Sequence, residues 1–180
     1  MSEASSTDWR KSVELALKVI ATLVALFGVV KYFVDNDRIH KAHLSSKSLE
    51  FIERYSASEL LNDRKRVLDF WIENSEYLNA LLKHGVRKSI YEDQVYALIL
   101  KSKRSNELFN SIFRLGNYFD QVHFCKSGGI CNEQMLETYF CESISNFNTG
   151  VGVTLSKVRY ATSIQTVGQG AKEFGEKCDR

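Results

Sequence analysis

Apolar residues follow two different rhythms along this chain. Residues 15–34 read LALKVIATLVALFGVVKYFV, and twelve of those twenty positions are Leu, Ile, Val or Phe. Twenty helical residues rising about 1.5 Å each reach about 30 Å, the thickness of a bilayer core. At about −0.3 to −0.6 kcal/mol per residue on an insertion scale, the twelve contribute about −5 kcal/mol. Lys18 and Lys31 oppose insertion, but each lies near an end, where a long stem carries its ammonium to the interface. Glu14 stands four residues before Lys18, the favourable order for a helical ion pair.

Three rival readings fit less well. The strictly uncharged run 19–30 has the length of a buried core helix. A cleaved signal peptide needs a small-x-small site, which Lys31-Tyr32-Phe33-Val34-Asp35 lacks. An interfacial helix needs one wide polar face, and Lys31 does not share a face with Glu14 and Lys18. The expected organisation is a disordered N-terminus over 1–12, a transmembrane helix over 13–35 and a helical domain over 36–180. Ala21, Ala25 and Gly28 form a small-residue stripe in the span, read here as ordinary lipid-facing residues.

Beyond the span the period becomes helical. Residues 37–55 carry Ile39, Leu44, Phe51, Ile52 and Tyr55. Ser56 or Ser58 is placed to cap a helix whose single apolar face is Leu60, Leu61, Val67, Leu68, Trp71 and Ile72. A short helix with Tyr77, Leu78, Leu81 and Leu82 is expected to stop at Gly85, where a left-handed residue is needed. Ser89 and Glu92 fit a capping box for a helix with Val95, Leu98 and Ile99. A polar break over 101–106 precedes the densest apolar stripe, Leu108, Phe109, Ile112, Phe113, Leu115, Phe119 and Val122. Gly128-Gly129 ends it, and Asn132 caps the next helix, with Met135, Leu136, Tyr139, Phe140, Ile144 and Phe147 on its face. The spacing predicts that these two stripes pack as a hairpin. Asn148-Thr149-Gly150 reads as a turn. The last segment, 151–174, has weaker helical spacing through Leu155, Val158 and Ile164. Its first five residues also fit a strand, and Gly168, Gly170 and Gly175 suggest fraying.

Composition narrows the class. Proline is absent from the 180 residues, which disfavours turn-dense all-β folds, and 44% are hydrophobic, which excludes a disordered chain. The expected fold is all-α: one N-terminal transmembrane helix followed by a compact helical bundle domain. The 24 basic and 22 acidic residues leave a net charge of +2, without the basic excess that nucleic-acid binding requires. Arg10, Lys11 and the α-amino group flank the span before it, and Arg38, Lys41, Lys47 and Arg54 after it. The positive-inside rule therefore leans toward a cytoplasmic C-terminal domain. All four cysteines, Cys125, Cys131, Cys141 and Cys178, lie in that domain, and in a reducing compartment they are expected as free thiols.

Candidate chemistry is sparse. His123, Cys125, Cys131 and Cys141 are ligand types for zinc, but the tight Cys-x-x-Cys pairs are missing, so buried thiols are expected instead. Cys125 and Cys131 bracket a turn through two glycines that is able to bring them within disulfide range, so that pairing stays open. His84-Gly85-Val86-Arg87-Lys88-Ser89 fails as a phosphate loop because Arg87 stands where glycine is required before Lys88. The basic runs Arg64-Lys65-Arg66, 83–88 and 101–104 are interleaved with Asp63, Asp69 and Glu73 and read as solvated faces. Arg38, Lys41 and Lys47 suit anionic lipid. His40 and His43 read as a polar juxtamembrane face. No catalytic, cofactor-binding or metal residue is assigned.

The order of parts carries a resemblance. After the anchor and the basic helical segment come Leu115, Asn117, Tyr118, Phe119, Asp120 and Val122, then Gly128-Gly129, then Glu137-Thr138-Tyr139-Phe140. These residues resemble the bacterial single-pass membrane proteins of the domain of unknown function 4760 family. The resemblance implies a single-pass helical protein of bacteria or phage-derived DNA and no established reaction. The expected function is a membrane-tethered helical interaction or signalling module without catalytic activity, in the inner (cytoplasmic) membrane. Its expected partners are the lipid bilayer and another membrane or membrane-proximal protein, with a homo-oligomer as a further option and no nucleic acid. The alternative is a membrane-anchored effector or enzyme acting at the bilayer.

Overall fold

A computed structural model describes the backbone of residues 4–161 and 166–178. Side chains are described at 14, 17, 18, 20 and from 22 onward, residues 161–165 and the last two excepted. Among the described residues the chain forms seven helices and no strand. The all-α class is therefore correct, and the strand reading of residues 151–155 is replaced by helix.

Helix α1 runs Ala4–Ser56, so the backbone is already helical over most of the stretch expected to lack structure. The chain divides into two compact units, 1–43 and 44–180. In the first, the Glu14–Lys18 pair closes at 2.6 Å and Thr22 Oγ1 donates to the Lys18 carbonyl at 2.8 Å. The expectation of a transmembrane span is not supported: among the described residues no helix is long and apolar enough to cross a membrane. Lys18 and Lys31 lie within the expected span, and Asp35 ends it. Val13, Leu15, Ala16, Val19 and Ala21, five members of the expected span, lie outside the residues with described side chains.

The second unit is a helical bundle. Helix α2 (Ser58–Lys83) is one element, not two, because Glu73 to Glu76 contain no breaker. Asn74 Nδ2 donates to the Phe70 carbonyl at 2.8 Å, folding that polar side chain onto its own helix. Neither Ser56 nor Ser58 caps α2; its N-cap is Ala57, and the Ser56 hydroxyl turns back to the Ile52 carbonyl of α1. Gly85 takes φ +64 after α2, as its position required. Helix α3 (Lys88–Lys101) starts without the capping box, its N-cap being Arg87. The polar break ends it, and α4 (Ser105–Ser127) follows.

Asn132 caps α5 (Glu133–Gly150) by accepting from the Met135 N–H at 3.0 Å. The expected turn at 148–150 is instead the last turn of α5. Helices α6 (Gly152–Ala161) and α7 (Gln169–Cys178) complete the unit, while Ile164 lies outside the described residues. The α4–α5 hairpin forms: Phe119 meets Phe147 at 5.2 Å between ring centroids, and Tyr118 meets Phe140 at 6.1 Å. Tyr55, from the end of α1, inserts between them, 5.8 Å from Phe119 and 5.3 Å from Phe140.

Helix α4 is central, with Ile112, Leu115, Phe119 and Val122 buried and α2, α3, α5, α6 and α7 all touching it. Helix α7 lies against both α4 and α5 through Ala171 and Phe174. Asp120 of α4 caps α7 from outside, accepting the Gly168 N–H at 2.6 Å and the Ala171 N–H at 2.9 Å. Gly168 itself has φ +73, and a Cβ there would overlap Leu155.

The free-thiol expectation is overturned. Cys125 pairs with Cys131, closing the two-glycine turn, and Cys141 of α5 pairs with Cys178 in the last turn of α7. No cysteine is left free among the described residues. The Cα separations of 5.3 and 5.4 Å sit within the range a disulfide spans without backbone movement.

Candidate functional site

Three polar clusters sit inside the bundle, and each joins helices. Asp63 of α2 is 1% exposed, and its Oδ1 accepts from Ser111 at 2.7 Å, Arg114 at 2.6 Å and Arg66 at 3.2 Å. Ser111 is thereby a donor to a buried carboxylate. Lys126 is buried against Glu137 and Glu133 of α5, with its ammonium 4.8 Å from the Phe174 ring centre. His123 Nε2 lies 3.2 Å from Glu173 Oε2 of α7. Burial raises the Asp120 carboxyl above its usual range, against the opposing pull of the Ala171, Gly168 and Gly170 N–H groups and Arg159. These are ties between α2 and α4, α4 and α5, and α4 and α7.

The residues considered for zinc are not brought together. The thiols are consumed in disulfides, His123 faces Glu173, and no group of three or more His, Cys, Asp or Glu suited to a metal occurs among the described residues. His40 and His43 stand exposed on α1. Lys41 pairs with Asp37 and Lys47 with Glu50, at 2.7 and 2.9 Å. Lys101, Lys103 and Arg104 line a cleft of about 640 Å³ between α2 and the α3–α4 turn, faced by Asp69 and Glu73. Opposed exposed charges of this kind contribute little binding energy in water.

A second concavity differs in kind. A groove of about 210 Å³ runs between α2 and α5, with Leu115, Phe119, Phe147 and Val151 at its floor and Trp71, Leu68 and Val67 along one wall. Gly150 makes that wall: a Cβ there would stand 2.9 Å from Trp71 Cζ2, so only glycine lets the indole lie on α5. At one end the Arg64 guanidinium lies 4.2 Å from the Tyr55 ring centre. Tyr, Trp and Arg around an apolar floor are the side chains that carry most binding energy in protein interfaces.

The face beside the groove is open. Sequence periodicity places Leu60, Leu61, Val67, Leu68, Trp71 and Ile72 on one buried face. The bundle buries Leu60 and half-buries Val67 and Trp71, but leaves Leu61, Leu68 and Ile72 exposed by 51%, 57% and 62%. The apolar stripe on α2 is thus wider than the core needs, and its width was the one sequence signal for this surface. No family model, curated protein or solved structure matches this chain.

Proposed function

We propose that this protein is a membrane-tethered helical interaction module, with its bundle on the oxidising side of a bacterial inner membrane and α2 with its groove as the docking surface. The observation that carries the tether is the first part of α1. Among the described residues, eleven large apolar side chains between Leu17 and Val34 are 44–72% exposed. Full burial of such a side chain is worth about 1.5–3 kcal/mol, so the stretch gives up on the order of 10–20 kcal/mol by facing water. Lipid recovers that energy, and Lys18 and Lys31 sit where they reach the interface. The resemblance to the domain of unknown function 4760 proteins belongs to this reading.

The orientation reverses the one drawn from flanking charge. Two disulfides in one bundle favour an oxidising compartment, whereas the excess of basic residues after the span is only a few charges. Carbonate extraction of membranes tests the tether: retention in the pellet is expected, and release into the soluble fraction would overturn it. Spheroplasts treated with a membrane-impermeant reductant and then an impermeant maleimide test the side. Labelling of the cysteines that depends on the reductant is expected; labelling that appears only after lysis would return the bundle to the cytoplasm.

A further inference from the structure

The second unit has an entry end. The chain passes into it at Leu44, and α1 and α2 then meet α4 in descending order. The Asn132 N–H donates to the Leu44 carbonyl at 3.3 Å and to Ser48 Oγ at 2.8 Å. Tyr118 donates its hydroxyl to the Phe51 carbonyl. Further on, Asp63 meets Arg114 and Ser111, and Arg66 meets Glu107. Each step up α1 and α2 is therefore a step down α4, which leaves the 127–132 turn at the end where the chain comes in. Leu100 and Lys101, just before α4 begins, lie at the other end, about 35 Å away along the 23 residues of α4.

The turn at the entry end is apolar, free of exposed charge and covalently clipped. Phe124 is 68% exposed and Ile130 44%. Each directly precedes a half-cystine of the Cys125–Cys131 bridge, whose Cα atoms are 5.3 Å apart, so one clip holds both in place. Ser127, Gly128 and Gly129 between them are exposed and uncharged. Lys126 is the one charged residue from Phe124 to Asn132, and it is buried against Glu133 and Glu137. Moving this tip out of water therefore removes apolar surface without stripping a charge. The bridge and the Asn132 cap have already ordered it, so contact adds little ordering cost.

We propose that the Phe124 and Ile130 tip seats the bundle on the bilayer by entering the lipid headgroup layer. The proposal rests on the tether reading and adds a second contact to it. Chain length makes lipid the partner. Ten residues carry the chain from Val34, the last of the apolar stretch, to Leu44, and α1 is helical across them. Ten helical residues rise about 15 Å, and the headgroups on one side of a bilayer fill about 5–7 Å of that. Tilt of the span shortens the remainder. A tip tethered this close to lipid meets it at high effective concentration, so a small apolar contact suffices.

Tryptophan fluorescence of the full chain reconstituted in phosphatidylcholine vesicles tests this, with chain-brominated phosphatidylcholine as the quencher. Phe124→Trp and Ile130→Trp each add an emission at the tip, and Leu100→Trp adds one at the other end of the bundle. The signal of the wild type, with its two native tryptophans, is subtracted from each. All three sites are exposed, so the variants are expected to melt with the wild type. In brominated lipid the emission added at the tip is expected to lose most of its intensity, and the emission added by Leu100→Trp to keep its intensity. Chains that float with the vesicles while the tip emission stays unquenched overturn the seat and leave the tether standing. Equal quenching at the tip and at position 100 shows no preference for the entry end and overturns the seat as well. Chains that separate from the vesicles on flotation overturn the tether, and the seat falls with it.

Discussion

Helix α7 is held by a covalent tie whose weight follows from chain topology. The Cys141–Cys178 bridge closes a loop with a sequence separation of 37, whereas Cys125–Cys131 closes one of 6. Loop-closure entropy removed from the unfolded chain is about 4 kcal/mol for the first and about 2 kcal/mol for the second. The longer bridge is also the more accessible one: Cys141 and Cys178 are half-buried, and Cys125 and Cys131 are buried. Cys141→Ala/Cys178→Ala is therefore expected to lower the melting temperature by about 10 °C, and Cys125→Ala/Cys131→Ala by about half as much. Circular dichroism melts of the full chain, followed through the helical signal, measure both. Graded reductant on the wild type is expected to reach the larger loss first, because the exposed bridge opens first. Equal losses, or a larger loss from the short loop, would refute the loop-closure reasoning. A wild-type melt unmoved by full reduction would show that the pairs carry no stability at all.

Three further outcomes follow from the packing. Phe140 is fully buried with ring centroids of Tyr139 at 4.9 Å and Tyr55 at 5.3 Å, so Phe140→Ala should cost about 3–5 kcal/mol in urea unfolding, and a loss under about 1 kcal/mol would mean the site collapses around the truncation. Asp120 has a carboxyl raised by burial, so its contribution is fully present below its unfolded pKa and is lost as pH rises through the higher folded value. Asp120→Asn keeps an acceptor for α7 but cannot ionise, and unfolding curves from about pH 4 upward should lose that part of their slope; an unchanged slope counts against this role for Asp120. Gly168→Ala meets both φ +73 and Leu155, and should destabilise by more than about 1 kcal/mol, read as a lower urea midpoint.

Helix positions were legible wherever an apolar stripe and a local stop signal agreed. The Leu108 to Val122 stripe, Gly85, the Gly128-Gly129 turn and the Asn132 cap all act within a few residues of themselves, and each falls where the spacing put it. The capping box at Ser89 and Glu92 failed because α3 starts at Lys88, placing the serine inside the first turn and not ahead of it. The turn at 148–150 failed for a tertiary reason. Asn148 Nδ2 donates to the Ala171 carbonyl of α7 at 2.8 Å, and Gly150 accommodates Trp71 of α2. Both residue types that mark turns locally are here used to let other helices approach, which keeps α5 helical to its end.

The cysteines illustrate the same division between local and distant information. Spacing alone allowed Cys125 to reach Cys131, because a two-glycine turn between them is a local geometry. Nothing local connects Cys141 to Cys178. Their meeting depends on α7 docking along α5, and that depends on Asp120 of α4 receiving the N-terminal N–H groups of α7. A half-buried carboxylate far upstream thus determines whether a thiol near the end of the chain has a partner. The open face of α2 inverts that logic. The six apolar residues that spacing places on one face, Leu60 to Ile72, are plain in the sequence, yet only the packed bundle separates those the core consumes from those it leaves outside. Leu61, Leu68 and Ile72 remain more than half exposed after this chain folds, so packing within the bundle does not account for them.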